Sequence, residues 1–140
     1  MSSKHNFIEH TADIAFDVTA NTIEELFIES ARAWRIAVVG DVSGKALSNK
    51  EFNLTAESLE ELLVNFLNEL NFYLLNKKWL AVIFNKLIID KTNFLLSANI
   101  AGFQIDDSIE IKEEIKSVTY HQMDIVNVDN IYSTRVVLDI

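Results

Sequence analysis

Carboxylates are the abundant reactive groups of this chain, 21 Asp and Glu against 12 Lys and Arg in 140 residues, and three of them stand apart from an ordinary solvated surface. Asp13 opens an alternating apolar segment directly after His10-Thr11-Ala12. Glu69 stands at the rim of an apolar helical stripe. Asp139 precedes Ile140 and its carboxylate at the end of an apolar run. Charges at strand ends are costly unless water, a Lys or a cation neutralises them. Hard oxygen donors of this kind suit Ca²⁺ or Mg²⁺, or Mn²⁺, rather than zinc. Spacing alone leaves open whether Asp13 and Asp139 meet in space.

Several other chemistries lack their residues. There is no Cys, so thiolate nucleophiles, disulfides and Cys-ligated metals are excluded. Three scattered Gly, at 40, 44 and 102, build neither a phosphate-cradling loop nor a G-x-S-x-G elbow. His5 is expected in a frayed terminus, and His10 and His121 lie far apart with no paired ligand motif, which argues against a His-rich zinc site. The formal charge of -9 repels polyanions, and the densest basic spot is only Lys77-Lys78, so no tight direct nucleic-acid binding is expected. No apolar run approaches the roughly 18 residues of a spanning helix and no apolar h-region follows Met1; the expectation is a cytoplasmic protein with no membrane contact.

The elements that must position these carboxylates are readable from periodicity. Thr22-Ile-Glu-Glu25 and Ser58-Leu-Glu-Glu61 are capping boxes that predict two helix starts. Behind the first, Ile23, Leu26, Phe27, Ala31, Trp34 and Val38 form one apolar stripe. Behind the second, Leu59, Leu62, Leu63, Phe66, Leu67, Leu70, Tyr73 and Leu74 do the same, while Phe72 breaks the pattern. Period-two or β-rich segments predict strands around Ile14–Val18, at Phe52–Leu54, and over Leu80–Ile89, Phe94–Ile100, Ile115–Val126 and Thr134–Ile140. Asp90-Lys-Thr-Asn93 and Asn127-Val-Asp-Asn130 read as hairpin turns. Length and composition fit a single domain over residues 1–140, and two one-faced helices need a sheet to cover. The expected fold is α+β, a two-layer sandwich of a mostly antiparallel sheet with two amphipathic helices.

Five segments in order along the chain resemble the archease family. Phe7-Ile-Glu-His-Thr-Ala-Asp-Ile14 is similar to its N-terminal signature, whose hallmark is His-Thr-Ala-Asp. Residues 22–31 and 59–70 are similar to its two helices. Glu114-Ile-Lys-Ser-Val-Thr-Tyr-His121 resembles a family strand and Val136-Val-Leu-Asp-Ile140 the family ending. The resemblance implies a non-enzymatic activator of the RNA-splicing ligase, which joins RNA ends bearing a 3′-phosphate or 2′,3′-cyclic phosphate to a 5′-hydroxyl in tRNA splicing and RNA repair. The activator promotes guanylylation and turnover of that protein partner. It further implies a divalent cation, commonly calcium, held by Asp13, Asp139 and Ile140, with Lys116 on the functional surface. We assign Glu69 and His10 to the same surface. The chain departs from the pattern at Ala15, where the family usually has Gly, and near Gly102-Phe103, where a Gly-Glu pair and a following His are missing. A general chaperone-like binding module and a stand-alone metal-dependent phosphohydrolase are the alternatives, the second lacking a base with a defined partner.

Overall fold

In the computed structural model, which describes residues 3–8, 13–42, 46–120 and 123–140, both capping signals start helices. Thr22 Oγ1 accepts from Glu25 N at 3.1 Å and begins α1, Ile23–Val39; Ser58 Oγ accepts from Glu61 N at 3.0 Å and begins α2, Leu59–Lys77. Each cap satisfies an N–H that a first helical turn leaves without an intrahelical acceptor. α1 ends at Gly40, whose φ of 75° favours glycine. Its own last turn contains no basic residue. The missing cation comes from a later loop: Lys112 N donates to Val38 O at 2.7 Å and its side chain lies against Gly40, at the negative end of the helix.

The strands are β1 (Lys4–Ile8), β2 (Asp13–Ala20), β3 (Ser48–Thr55), β4 (Trp79–Asp90), β5 (Leu95–Gln104), β6 (Ser117–Thr119), β7 (Val126–Val128) and β8 (Ile131–Asp139). Every pairing is antiparallel, as expected for the α+β class. They divide into two sheets, β1-β2-β8-β6 with β7 also on β8, and β3-β5-β4. Period-two patterning tells which face of a strand is buried and not which neighbour it pairs with, so this division could not be read from alternation. α1 packs on β2 and β4, and α2 on β4 and β6, so the helices cover one face of each sheet. Along β8, Val136 and Leu138 are fully buried under them while Arg135 and Asp139 are exposed. The core gathers Phe16, Phe27, Trp34, Phe66 and Leu80 into one cluster.

Both predicted hairpin turns are present. Asp90 Oδ1 accepts from Thr92 N at 2.9 Å and Asn93 N at 3.1 Å, and the chain then re-enters the sheet through Phe94 at φ 58°. Asp129 and Asn130, at φ 53° and 64°, join β7 to β8 in the two-residue turn that matches strand twist.

Two expectations are corrected. Residues 4–8 are not frayed: β1 pairs along β2, and His5 Nδ1 lies 2.6 Å from Glu29 Oε2 on α1. Glu29 is only 8% exposed and also accepts from Arg32 at 3.2 Å, while the His5 ring stands edge-on to Phe7 and Phe16. The segment Ile115–Val126 is not one strand. β6 ends with Thr119 opposite Val137 and β7 begins with Val126 opposite Ser133, so residues 120–125 correspond to only 134–136 on β8. A surplus of that size cannot stay in a ladder, and the pairing is interrupted. Phe72, which broke the helical pattern, is 47% exposed and stands edge-on to Tyr73.

Candidate functional site

Asp13 is the first residue of β2 and Asp139 the last of β8, and their register places them directly opposite each other. From the far side β6 adds Ser117, also opposite Asp139. The next row inward, Ile14, Leu138 and Val118, packs into the core under the helices. Because successive side chains alternate faces, the row Asp13, Asp139, Ser117 belongs to the face turned away from the helices. Directly opposed residues of an antiparallel pair have Cβ atoms roughly 4.5–5.5 Å apart. Two carboxylates from opposite ends of the chain therefore come within reach of a single ion.

Their surroundings differ. Asp13 is half-buried, with Oδ1 shielded from solvent, whereas Asp139 is exposed. Ile140 follows, half-buried and packed against the core, which pins the end of β8. Like charges opposed across a sheet repel, so this row gains when a cation sits between them. Among the described residues no three His, Cys, Asp or Glu side chains cluster for a metal. The donor set on offer is two Asp carboxylates with a backbone oxygen of the adjacent Ile140, all hard oxygen, which fits Ca²⁺, Mg²⁺ or Mn²⁺ with water completing the shell.

Lys116 lies beside this row, exposed, with its N donating to Asp139 O at 2.8 Å. Glu69 is elsewhere: it lines a groove of about 490 Å³ on α2 with Leu54, Asn65, Asn68 and Phe72, in the helical layer and outside the carboxylate row. His10 lies outside the described residues.

Sequence reasoning missed two asparagines. Asn68 accepts from Val118 N at 2.8 Å and donates to Val118 O at 3.1 Å, and Asn71 donates to Ile115 O at 2.8 Å while accepting from Trp34 Nε1 at 3.1 Å. Glu60 on the same helix accepts from Ile125 N at 2.9 Å. Glu60, Asn68 and Asn71 of α2 thus bond the backbone of the segment that holds β6, and Asn68 takes the outer edge where a neighbouring strand would otherwise pair. The available signal was two Asn three residues apart inside an apolar helical stripe, since an amide buried there must have partners.

Residues 5–140 match the Archease protein family. Protein archease of Methanosarcina acetivorans is 33% identical over 98% of this chain and 96% of its own length, and that of Methanothermobacter thermautotrophicus is 32% identical over 96% of each. The chain belongs to the archease family. Among solved structures, Methanobacterium thermoautotrophicum protein 1598 superposes with a TM-score of 0.80 at 29% identity, covering 97% of this chain and 98% of that one. An archease from Thermotoga maritima, described as a possible chaperone, gives 0.65 at 27% identity over 95% and 94%. The three non-helical segments that carry the archease resemblance, 7–14, 114–121 and 136–140, contribute Asp13, Ser117 and Asp139 to one row. No helix among the described residues is long and apolar enough to cross a membrane.

Proposed function

We propose that this archease is a non-catalytic activator of the RNA-splicing ligase, and that it presents to the ligase a divalent cation, Ca²⁺ foremost, together with Lys116. The observation that carries the reading is the direct opposition of Asp13 and Asp139, with Lys116 hydrogen-bonded through its backbone to the same Asp139. Two strand ends converge on charged groups that do nothing for the core, which is the pattern of a working surface rather than a packing requirement.

Guanylylation moves GMP from GTP to the ligase and releases pyrophosphate, so negative charge builds on phosphate oxygens in the transition state. A bound cation supplies electrostatic stabilisation of that charge. Asp13 and Asp139 would hold it, with a backbone oxygen of Ile140, on strand ends rather than on a loop. Lys116, exposed beside them, offers a second positive group. With its net charge of -9 the chain reaches RNA chemistry through the partner protein rather than by holding RNA itself. Cytoplasmic placement follows from the partner.

Single-turnover guanylylation of the ligase, with and without this protein, tests the reading. Faster GMP transfer in its presence is expected; an unchanged rate at saturating protein, with Ca²⁺ or Mg²⁺ present, contradicts it. A general chaperone would instead suppress aggregation of unrelated unfolded proteins; the Thermotoga maritima archease is described as a possible chaperone.

A further inference from the structure

We infer that Asn68 of α2 is a positioning residue for Lys116, and that Asn71 supports it from the next turn of the helix. The inference rests on the reading of Lys116 as part of the working surface. β6 is only three residues long and lies at the edge of its sheet, bonded on one side to β8. A strand that short, with an open outer edge, has little of its own to hold it. Its outer edge is closed by a side chain: the Asn68 amide both donates to and accepts from the backbone of Val118, the two bonds a neighbouring strand would make. One step earlier, Asn71 takes Ile115 O, and its own oxygen is occupied by Trp34 Nε1, so the amide cannot turn.

Lys116 and Ser117 lie between these two anchors. Lys116 is fixed on the opposite side by its N donating to Asp139 O. The segment 115–118 is therefore held from α2 on one side and from β8 on the other, and the α2 anchors are independent of the Asp13–Asp139 pairing, which belongs to β2 and β8 alone. This separation has a functional consequence. Releasing the α2 anchors frees Lys116 while leaving the opposed carboxylates in place, so the lysine and the cation can be uncoupled experimentally. Asn71 is 5% exposed and its loss strands two buried partners, whereas Asn68 is half-buried, which makes Asn68 the cleaner site to change.

The test is a double-mutant cycle on ligase guanylylation with Asn68→Ala, Lys116→Ala and the pair, alongside amide hydrogen exchange of Lys116 and Val118 and a Ca²⁺ titration. We expect Asn68→Ala to speed exchange at both amides at least tenfold, to cut maximal activation at least tenfold, and to leave Ca²⁺ affinity within about threefold of wild type. In the Lys116→Ala background the same change should cost nothing further, because it acts through that residue. Asn65→Ala, on the same helix, is the control and should match wild type. Additive losses in the double variant, full activity of Lys116→Ala, or unchanged exchange at Lys116 overturns the inference. If the wild-type protein fails to activate the ligase, it is the proposed function that fails, and the exchange measurement still decides whether Asn68 holds Lys116.

Discussion

Removing the Asp139 side chain deletes one of two opposed carboxylates without opening a cavity, because it is exposed while Val136 and Leu138 fill the core side of β8. Asp139→Ala is thus expected to lower Ca²⁺ affinity at least tenfold, read by calorimetric titration, with a far-UV spectrum like that of wild type. Asp13→Ala removes the carboxylate directly opposite it, on the other strand end, so the same loss is expected. The turn residue Asp129 is the proper control, changed to Asn because its φ of 53° would strain Ala. Wild-type affinity in both variants would place the cation elsewhere. His5 makes a separate prediction. Its contact with the buried carboxylate of Glu29 ties β1 to α1. His5→Ala should cost about 2 kcal/mol in urea denaturation, the scale of a hydrogen bond to a charged group; a loss under about 0.5 kcal/mol would mean Arg32 and Ser3 satisfy Glu29 without it.

At the scale of elements, the Asp90 turn carries a signed pH dependence. The Asn93 side chain, then the backbone N–H groups of Asn93 and Thr92, donate to the carboxylate and hold its pKa below the ordinary value. A folded value below the unfolded one, near 3.9, means that this stabilisation is complete above about pH 4 and is lost as pH falls through the depressed folded value. Carboxyl chemical shifts should show Asp90 titrating at lower pH in the folded protein than in the urea-unfolded chain; the reverse order would contradict the turn geometry. Turns of this kind were legible beforehand because Asp and Asn write their chemistry into the local sequence. So were the helices, from caps and stripes. β1 was not legible, since its stability comes from pairing with β2 and from a Glu on α1, 24 residues beyond His5. Nor was the break between Thr119 and Val126, which is set by the count of residues on β8. For the site, residue type nominated Asp13 and Asp139, and only register could bring them together. Asn68 and Asn71 are not legible because their partners, the backbone of Ile115 and Val118 and the Trp34 indole, are distant in sequence.

For the whole molecule, charge and topology point the same way. A chain of net charge -9 should bind tRNA no tighter than micromolar at physiological salt; sub-micromolar binding in a filter assay would show a basic surface that the composition does not suggest. A cation that binds only the folded state should raise stability by about 2.7 kcal/mol at 100 times its dissociation constant. The central claim, that opposed carboxylates at joined strand ends serve the activation of a partner, is tested most directly by single-turnover ligase guanylylation with saturating GTP, comparing wild type and Asp139→Ala. The account predicts acceleration by wild type and its loss, at least tenfold, in the variant. Equal acceleration by the two proteins would contradict it.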